Sequence, residues 1–207
     1  MSLVKYNNNS ISAVTSAAAI PSGAMTLIKT LTASSSATLS FVHGSSDVVL
    51  DSTYPIYVFK FIDIHGSAQG SNYFQVNFRD GSSAFDATKT TTLFRTYHFE
   101  DDSAAALAYE AEHDLAQSTG ALKIAQGIST DNDHCTVGTL HLFNPSSTTF
   151  VKHFLSDTQT AHEDNASYRW FVSGYCNVTA AIDGVQFSMS SGNIDSGKIK
   201  LYGIKDS

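Results

Sequence analysis

The feature that most constrains the fold of this chain is a repeated alternation of apolar and polar residues. In "NYFQVNFRD" (72 to 80), the apolar residues Phe74, Val76 and Phe78 occupy every second position, with polar residues between them. A period of two places successive side chains on opposite faces of a β-strand, so this run predicts a strand with one buried face and one wet face. Similar runs, separated by clusters of Gly, Ser, Asn and Asp, number about ten. They predict an all-β fold, an antiparallel β-sandwich that is jelly-roll-like and has at most one short helix.

Some runs predict more than a strand. "YPIYVFKFIDI" (54 to 64) has Tyr57, Phe59 and Phe61 on one face and further apolar residues, Ile64 among them, nearer the other. A strand that is apolar on both faces is expected at the centre of a sheet. The final run, "KIKLYGI" (198 to 204), is also expected to lie inside a sheet, so its removal should destabilise the whole domain.

Three pairs of neighbouring runs predict hairpins. In the first, "NPSS" (144 to 147) separates the runs 138–144 and 148–155, and both Pro145 and Asn144 favour a turn there. The second pairs the run 24–33 with 37–42. The third closes the chain, with Val185, Phe187 and Met189 predicted to pair with Ile199 and Leu201, and with Ile194 tucked back as an apolar plug.

One segment departs from the alternation. "DSAAALAYEAEHDLAQ" (102 to 117) is rich in Ala, lacks Gly and Pro, and opens with two residues that favour helix N-caps. A short helix is one prediction. The alternative is a surface excursion with a short strand around 107 to 109, because the segment has no clean apolar stripe of helical period.

The length of 207 residues suits a single domain with a short extension. Residues 1 to 22 contain "NNNSISAVTSAAAIPSG" (7 to 23), which is small, polar and poor in residues to bury. We therefore expect residues 1–22 to form an N-terminal arm or edge segment and residues 23–207 to form the β-sandwich domain.

The net charge, the apolar stretches and the cysteines limit the kinds of partner and the cellular compartment that the sequence predicts. The formal net charge is −7 and no run of Lys or Arg occurs, so nucleic acid is not an expected partner. No apolar stretch approaches the roughly 18 residues of a membrane span, and the first residues do not resemble a signal peptide. No membrane partner is therefore expected. Because nothing marks the chain for export to an oxidising compartment, Cys135 and Cys176 are expected to be reduced thiols.

Clusters of titratable residues do not predict an enzyme or a cofactor site. Glu100, Asp101 and Asp102 are adjacent, whereas a glycosidase needs two carboxylates held on opposite sides of a cleft. Asp131 and Asp133 lie two apart but lack the Gly and closing Glu of a calcium loop. The spacing of His141, His153 and His162 matches no zinc pattern. The sequence therefore predicts no catalytic residues, no metal and no cofactor.

Aromatic residues provide the binding hypothesis. Tyr168, Trp170 and Tyr175, with Arg169 among them, form a possible glycan or interface contact, since sugars stack on aromatic rings. The alternative is that Trp170 anchors its strand in the core, as large aromatic side chains mostly do.

A resemblance adds to these inferences. The stretches "AIDGVQFSMSSGNIDSGKIKLYGIKDS" (181 to 207), "IPSGAMTLIKTLTASSSATLSFV" (20 to 42), "DVVLDSTYPIYVFKFIDIHG" (47 to 66) and "LHLFNPSSTTFVKHF" (140 to 154) are similar to a recurring group of virion structural or surface proteins of marine tailed bacteriophages. The resemblance covers nearly the whole chain and is strongest at its two ends. It implies a non-enzymatic virion protein with a β-sandwich fold, made in the cytoplasm of the host bacterium, and it carries no catalytic residues.

Two functional readings follow from the resemblance and the pattern together. In the first, the protein decorates or cements the capsid surface as a homotrimer, contacting copies of itself and other virion proteins. In the second, it is a tail or head fibre module that binds host-surface polysaccharide. A glycan-degrading enzyme is a third reading, which the carboxylate spacing disfavours.

Overall fold

A computed structural model describes residues 24–70 and 72–206, so the predicted arm, residues 1–22, lies outside the described residues. The described chain folds into twelve β-strands and contains no helix. The strands are β1 (Met25–Thr32), β2 (Thr38–Val42), β3 (Ile56–Gly66), β4 (Tyr73–Arg79), β5 (Lys89–Phe99), β6 (Ala105–Tyr109), β7 (Leu122–Gln126), β8 (Thr136–Phe143), β9 (Lys152–His162), β10 (Ala166–Cys176), β11 (Gly184–Met189) and β12 (Ile194–Ile204).

These strands form two antiparallel sheets that enclose one core. The large sheet has eight strands in the order β1-β12-β3-β8-β9-β10-β5-β6. The small sheet has four strands in the order β2-β11-β4-β7. The predicted all-β antiparallel sandwich is confirmed, with twelve strands in the described residues rather than about ten.

The centre of the core is a cluster of phenylalanine rings from both sheets. Phe187 of β11 stacks on Phe74 of β4 with 5.6 Å between ring centroids. It also meets Phe59 and Phe61 of β3 edge to face, at 5.4 and 5.3 Å. Offset-stacked and edge-to-face pairs are the favoured aromatic geometries, so these rings join the two sheets across the core.

The predicted central strands are confirmed. β3 lies between β12 and β8, and β12 lies between β1 and β3. Ile194 is fully buried at the start of β12, as expected of an apolar plug. The placement of Ile64 nearer the outer face was wrong, because an irregularity between Phe61 and Ile64 shifts the register and returns Ile64 to the core.

Two of the three predicted hairpins are wrong. β1 and β2 lie in different sheets, and so do β11 and β12. Phe187 and Leu201 are both buried because they face the same core from opposite sides, not because their strands pair. The hairpin from 138 to 155 is confirmed, since β8 pairs with β9 and the Ser147 N–H donates to the Asn144 carbonyl across the turn.

The segment 102–117 is not a helix. Its residues 105–109 form β6, which pairs with β5 as the last strand of the large sheet. The prediction of a short strand around 107 to 109 is therefore the correct alternative. Ala has the highest helix propensity of all residues, but intrinsic propensity is a small energy that pairing with an existing strand outweighs.

Candidate binding face

The candidate site lies on the side of the large sheet that faces away from the small sheet. We call it the outer face, and define it by the outward side chains of β8, β9, β10 and β5. Among the described residues, the small sheet covers the opposite side and no strand lies over the outer face. Four neighbouring depressions, of about 270, 430, 400 and 350 Å³, lie on this face.

The centre of the outer face is a row of side chains on adjacent strands. Cross-strand pairing places Thr139, Asp157, Phe171 and Phe94 side by side from β8 to β5. The rings of Phe94 and Phe171 stack, with centroids 4.8 Å apart and planes 17° apart. This row borders the depression of about 400 Å³, which also includes Leu155 and His141.

The Phe171 ring also contacts Arg169, which forms an ion pair with Asp157. The Arg169 guanidinium lies 4.7 Å from the centre of that ring. Its Nε and Nη2 donate to the two carboxylate oxygens of Asp157 at 2.9 and 2.6 Å. The bond to Asp157 raises the pKa of Arg169. Two parallel hydrogen bonds fix a guanidinium in orientation, so Arg169, Phe171 and Phe94 form an ordered three-layer stack.

Apolar side chains are exposed across the outer face and on the neighbouring edge strand. Phe94 is 45% exposed and Leu155 is 50% exposed. Leu107, which pairs with Thr96 of β5 and so shares its face, is 69% exposed. Single exposed apolar residues are ordinary, but a group of them on one face marks an interaction surface.

The structure does not bring the four sequence-predicted residues together. Alternation along β10 directs Tyr168 and Trp170 into the protein, where they are 6% and 1% exposed. Arg169 and Tyr175 lie on the outer face, in separate depressions. Trp170 therefore occupies the position of a core anchor, the alternative reading of its sequence context, and the four residues form no shared platform.

The residues that sequence reasoning missed are Phe94, Phe171 and Leu155. Phe171 stands in the run "SYRWFVSGYC", where it alternates with the bulkier Trp170. The alternation along this run could have identified Phe171, because successive side chains of a strand point to opposite faces. It places Tyr168 and Trp170 on one face and Ser167, Arg169, Phe171 and Tyr175 on the other. Their assembly with Phe94 required the order of the strands, which one strand's pattern does not contain.

Tyr168 instead belongs to a buried cluster on the inner side of the same strands. Its ring stacks on His162 at 3.9 Å and on Tyr97 at 5.3 Å. The Arg95 guanidinium lies 5.0 Å from its centre and pairs with Glu110 at 2.5 Å. Burial lowers the pKa of His162 and raises the pKa of Tyr168, so both side chains are held neutral.

Trp170 packs in a second cluster beside the first. The His113 ring stacks on it at 5.7 Å, and the Tyr73 ring lies 6.2 Å away. Lys123 lies over the Tyr73 ring at 4.1 Å and contacts His113 Nδ1 at 3.2 Å. Burial, and then the charge of Lys123, lower the pKa of His113. These contacts account for the position of Trp170 without a ligand.

Two buried lysines flank a buried cysteine at one end of the sandwich. Cys176 pairs with Lys89 on one neighbouring strand and with Lys152 on the other. Lys152 Nζ donates to the carbonyls of Ser147, Val178 and Ala180, the first two at 3.2 and 2.7 Å. Lys89 Nζ donates to Ala87 O at 3.0 Å. Burial lowers the pKa of Lys89 to about 8 and raises the pKa of Cys176 to about 12.

The remaining titratable candidates lie apart. Asp101 and Asp102 are exposed in the turn between β5 and β6. Asp131 and Asp133 flank His134, with the nearest oxygens 3.9 and 4.0 Å from its ring nitrogens. Within residues 24–70 and 72–206, no three His, Cys, Asp or Glu side chains are placed to hold a metal ion. Cys135 and Cys176 are not bonded to each other.

No protein-family model, no curated protein and no solved structure matches this chain significantly. The described part of the chain also has no helix that is long and apolar enough to cross a membrane.

Proposed function

We propose that this chain is a non-enzymatic virion structural protein that decorates or cements a bacteriophage capsid, and that it contacts copies of itself and other virion proteins through the outer face. The observation that carries the proposal is the exposure of Phe94 and Leu155 on an uncovered sheet. Burying such a face against a partner removes apolar area from water, at about 25 cal/mol per Å². The resemblance of the sequence to virion proteins of marine phages supports the same reading.

The order of the strands supports a jelly-roll assignment. Without the hairpins β5–β6 and β9–β10, the large sheet is β1-β12-β3-β8 and the small sheet remains β2-β11-β4-β7. Two four-stranded sheets in this order fit a jelly roll, an architecture of viral capsid and lectin domains. Both hairpins extend the same sheet, and three of their four strands build the outer face. We propose that these additions to a jelly-roll core created the docking surface.

The proposal is tested by substitution on the outer face. The double variant Phe94→Ser with Leu155→Ser should fold but fail to join particles or to associate with other copies. Phe150→Ser is the matched control, because Phe150 is 69% exposed but lies in the turn before β9. Normal incorporation of the double variant into virions would contradict the proposal.

A second candidate function is binding of host-surface polysaccharide by a fibre module. The specific observation in its favour is the depression of about 400 Å³ beside the Phe94–Phe171 pair, with Ser173, Thr139 and His141 on its border. Hydroxyl and imidazole groups beside exposed rings suit a sugar. Binding of host polysaccharide that Phe94→Ser abolishes, in a protein that remains incorporated in the virion, would favour this candidate.

A further inference from the structure

The strand β6 leaves one side of its backbone open. The Glu110 N–H donates to Leu93 O, and Ala104 O accepts from the Phe99 N–H, each at 3.0 Å. Antiparallel pairs bond through alternate residues, so the even-numbered residues of β6 bond β5. Ala105, Leu107 and Tyr109 therefore direct their N–H and C=O groups away from the sheet. Among the described strands, none pairs with that side of β6.

Nothing within β6 protects this edge. Its sequence is "AALAY", with no Lys, no Pro and no irregularity in its register with β5. Edge strands usually carry such devices, because an open flat edge pairs readily with another strand. Tyr109 is 56% exposed, and together with Leu107 it adds apolar side chains to the open edge.

The charges around β6 exclude its pairing with the β6 of another copy. From residue 95 to residue 114 the chain has six acidic residues, no Lys and a single Arg, Arg95, which pairs with Glu110. The acids are Glu100, Asp101, Asp102, Glu110, Glu112 and Asp114. Antiparallel pairing of two β6 strands would bring the acids after one strand beside those before the other, and like charges directly opposed are destabilising.

The opposite edge of the large sheet has the complementary charge. β1 contains Lys29, and the adjacent strands β12 and β3 contribute Lys198, Lys200 and Lys60, so the three strands hold four Lys against two acids, Asp195 and Asp63. From Lys29 to Thr32, β1 keeps a regular register with β12, beyond the irregularity between Leu27 and Lys29. This stretch is close in length to β6. A lysine on the edge deters pairing of two β1 strands but suits an acidic partner.

We propose that β6 of one copy pairs with β1 of the next, so that the large sheets join head to tail. The occupant of the β6 edge is thus a second copy of this chain. Leu27 pairs with Tyr202 on the outer face, so the contact also brings the apolar side chains of the two edges onto one continuous surface. A contact between two different patches repeats from copy to copy and forms a closed ring where the rotation between copies closes, as the proposed homotrimer requires, or an open filament where it does not. This inference rests on the proposed self-association and adds to it a second contact between copies, made by strand edges rather than by the outer face.

A charge-reversal experiment tests the contact in the full chain. One variant carries Glu100→Lys and Glu112→Lys, which reverse exposed charges beside β6. The other carries Lys198→Glu and Lys200→Glu beside β1. Native mass spectrometry at low ionic strength should show an oligomer for the wild type and its loss in each variant. Salt at about 0.5 M should weaken the wild-type oligomer, because exposed charges are screened.

Two recombinations identify the contact as head to tail. Combining all four substitutions in one chain should restore the wild-type oligomer, because it restores opposite charges across every contact. Mixing the two separate variants should restore association of unlike copies in alternation, which cannot close a ring of three. Wild-type association in both separate variants would overturn the contact, as would a monomeric wild type. If those variants associate normally while Phe94→Ser with Leu155→Ser does not, the edge contact is wrong and the proposed function of the outer face stands.

Discussion

Phe94 and Phe171 stack face to face on a side of the large sheet that no other described strand covers, with their ring centroids 4.8 Å apart. They lie directly opposite each other on β5 and β10, and Phe94 remains 45% exposed. Such a pair contributes about 1 kcal/mol beyond the area that it buries. This contribution to the fold is small, and the half-exposed Phe94 ring leaves apolar area in contact with water. The proposed contact with a partner would bury the exposed part of the Phe94 ring.

This relationship gives the first prediction. Phe94→Ala should lower the free energy of unfolding by only about 1 kcal/mol, because the ring is half-exposed. Association with copies or with the virion should fall much more strongly. Chemical denaturation and analytical ultracentrifugation measure the two effects, and Phe150→Ala is the control. A large loss of stability with unchanged association would show that the ring serves the fold.

Trp170 should behave in the opposite way. It is 1% exposed and stacked on His113, so Trp170→Ala leaves a cavity in the core. Truncation of a buried Trp costs about 3–5 kcal/mol. We expect a comparable loss in denaturant unfolding. Loss of glycan binding with unchanged stability would instead support the platform hypothesis for Trp170.

Substitutions of the two buried lysines should change the stability of the protein in opposite directions. Lys152→Met should be destabilising, because it leaves three carbonyls without their donor. Burial lowers the pKa of Lys89 from 10.5 to about 8. Because the folded pKa lies below the unfolded one, the neutral amine of Lys89 favours the folded state above pH 10.5. That stability is lost as the pH falls from 10.5 to about 8, and it stays lost at lower pH. Burial lowers the pKa of Lys152 as well, but Lys89→Met leaves only the Ala87 carbonyl without its donor. Lys89→Met should therefore stabilise the protein at pH 7, and thermal unfolding of both variants tests the contrast.

Acid should weaken the fold through its buried histidines. Burial lowers the pKa of His162 and of His113 below the ordinary value of 6.5. Both are neutral in the folded protein, so stability is complete above that pH and is lost as pH falls toward the folded pKa. His162 faces Arg95 and His134, which oppose its protonation, and Asp164, which favours it. The melting temperature of His162→Gln should fall less between pH 7 and pH 5 than that of the wild type, and equal slopes would contradict this.

The last strand should be indispensable. β12 pairs with β1 on one side and β3 on the other, and it buries Ile194, Ile199 and Leu201. Deleting residues 194–207 would expose both neighbours and open the core. We expect a protein without cooperative unfolding or with none of its near-ultraviolet circular dichroism. A truncated chain with wild-type spectra would contradict the central position of β12.

The sequence predicts the features of this fold that depend on one strand or one turn, and it predicts the pairing of distant strands poorly. Alternation in 72–80 predicted β4 and its buried face, because it is a property of one strand. The pairing of 184–189 with 198–204 was wrong, because two strands that face one core from opposite sheets have the same pattern as a hairpin. The hairpin 138–155 was right, since its turn residues mark the connection directly.

The candidate site was harder to predict for the same reason. Arg169 and Phe171 were visible in one run, but Phe94 and Asp157 come from strands distant in sequence. Only the order of β9, β10 and β5 in the large sheet brings them together. Tyr168 and Trp170 drew attention as aromatic residues, although their alternation with Arg169 and Phe171 already assigned them to the opposite face.

The most direct test is to image intact virions with the protein labelled, at a resolution that places its two sheets. We expect density on the capsid surface, with the outer face around Phe94 and Leu155 buried against a copy or another virion protein. Particles that lack the protein, or that carry it with this face open to solvent, would rule out the proposed function.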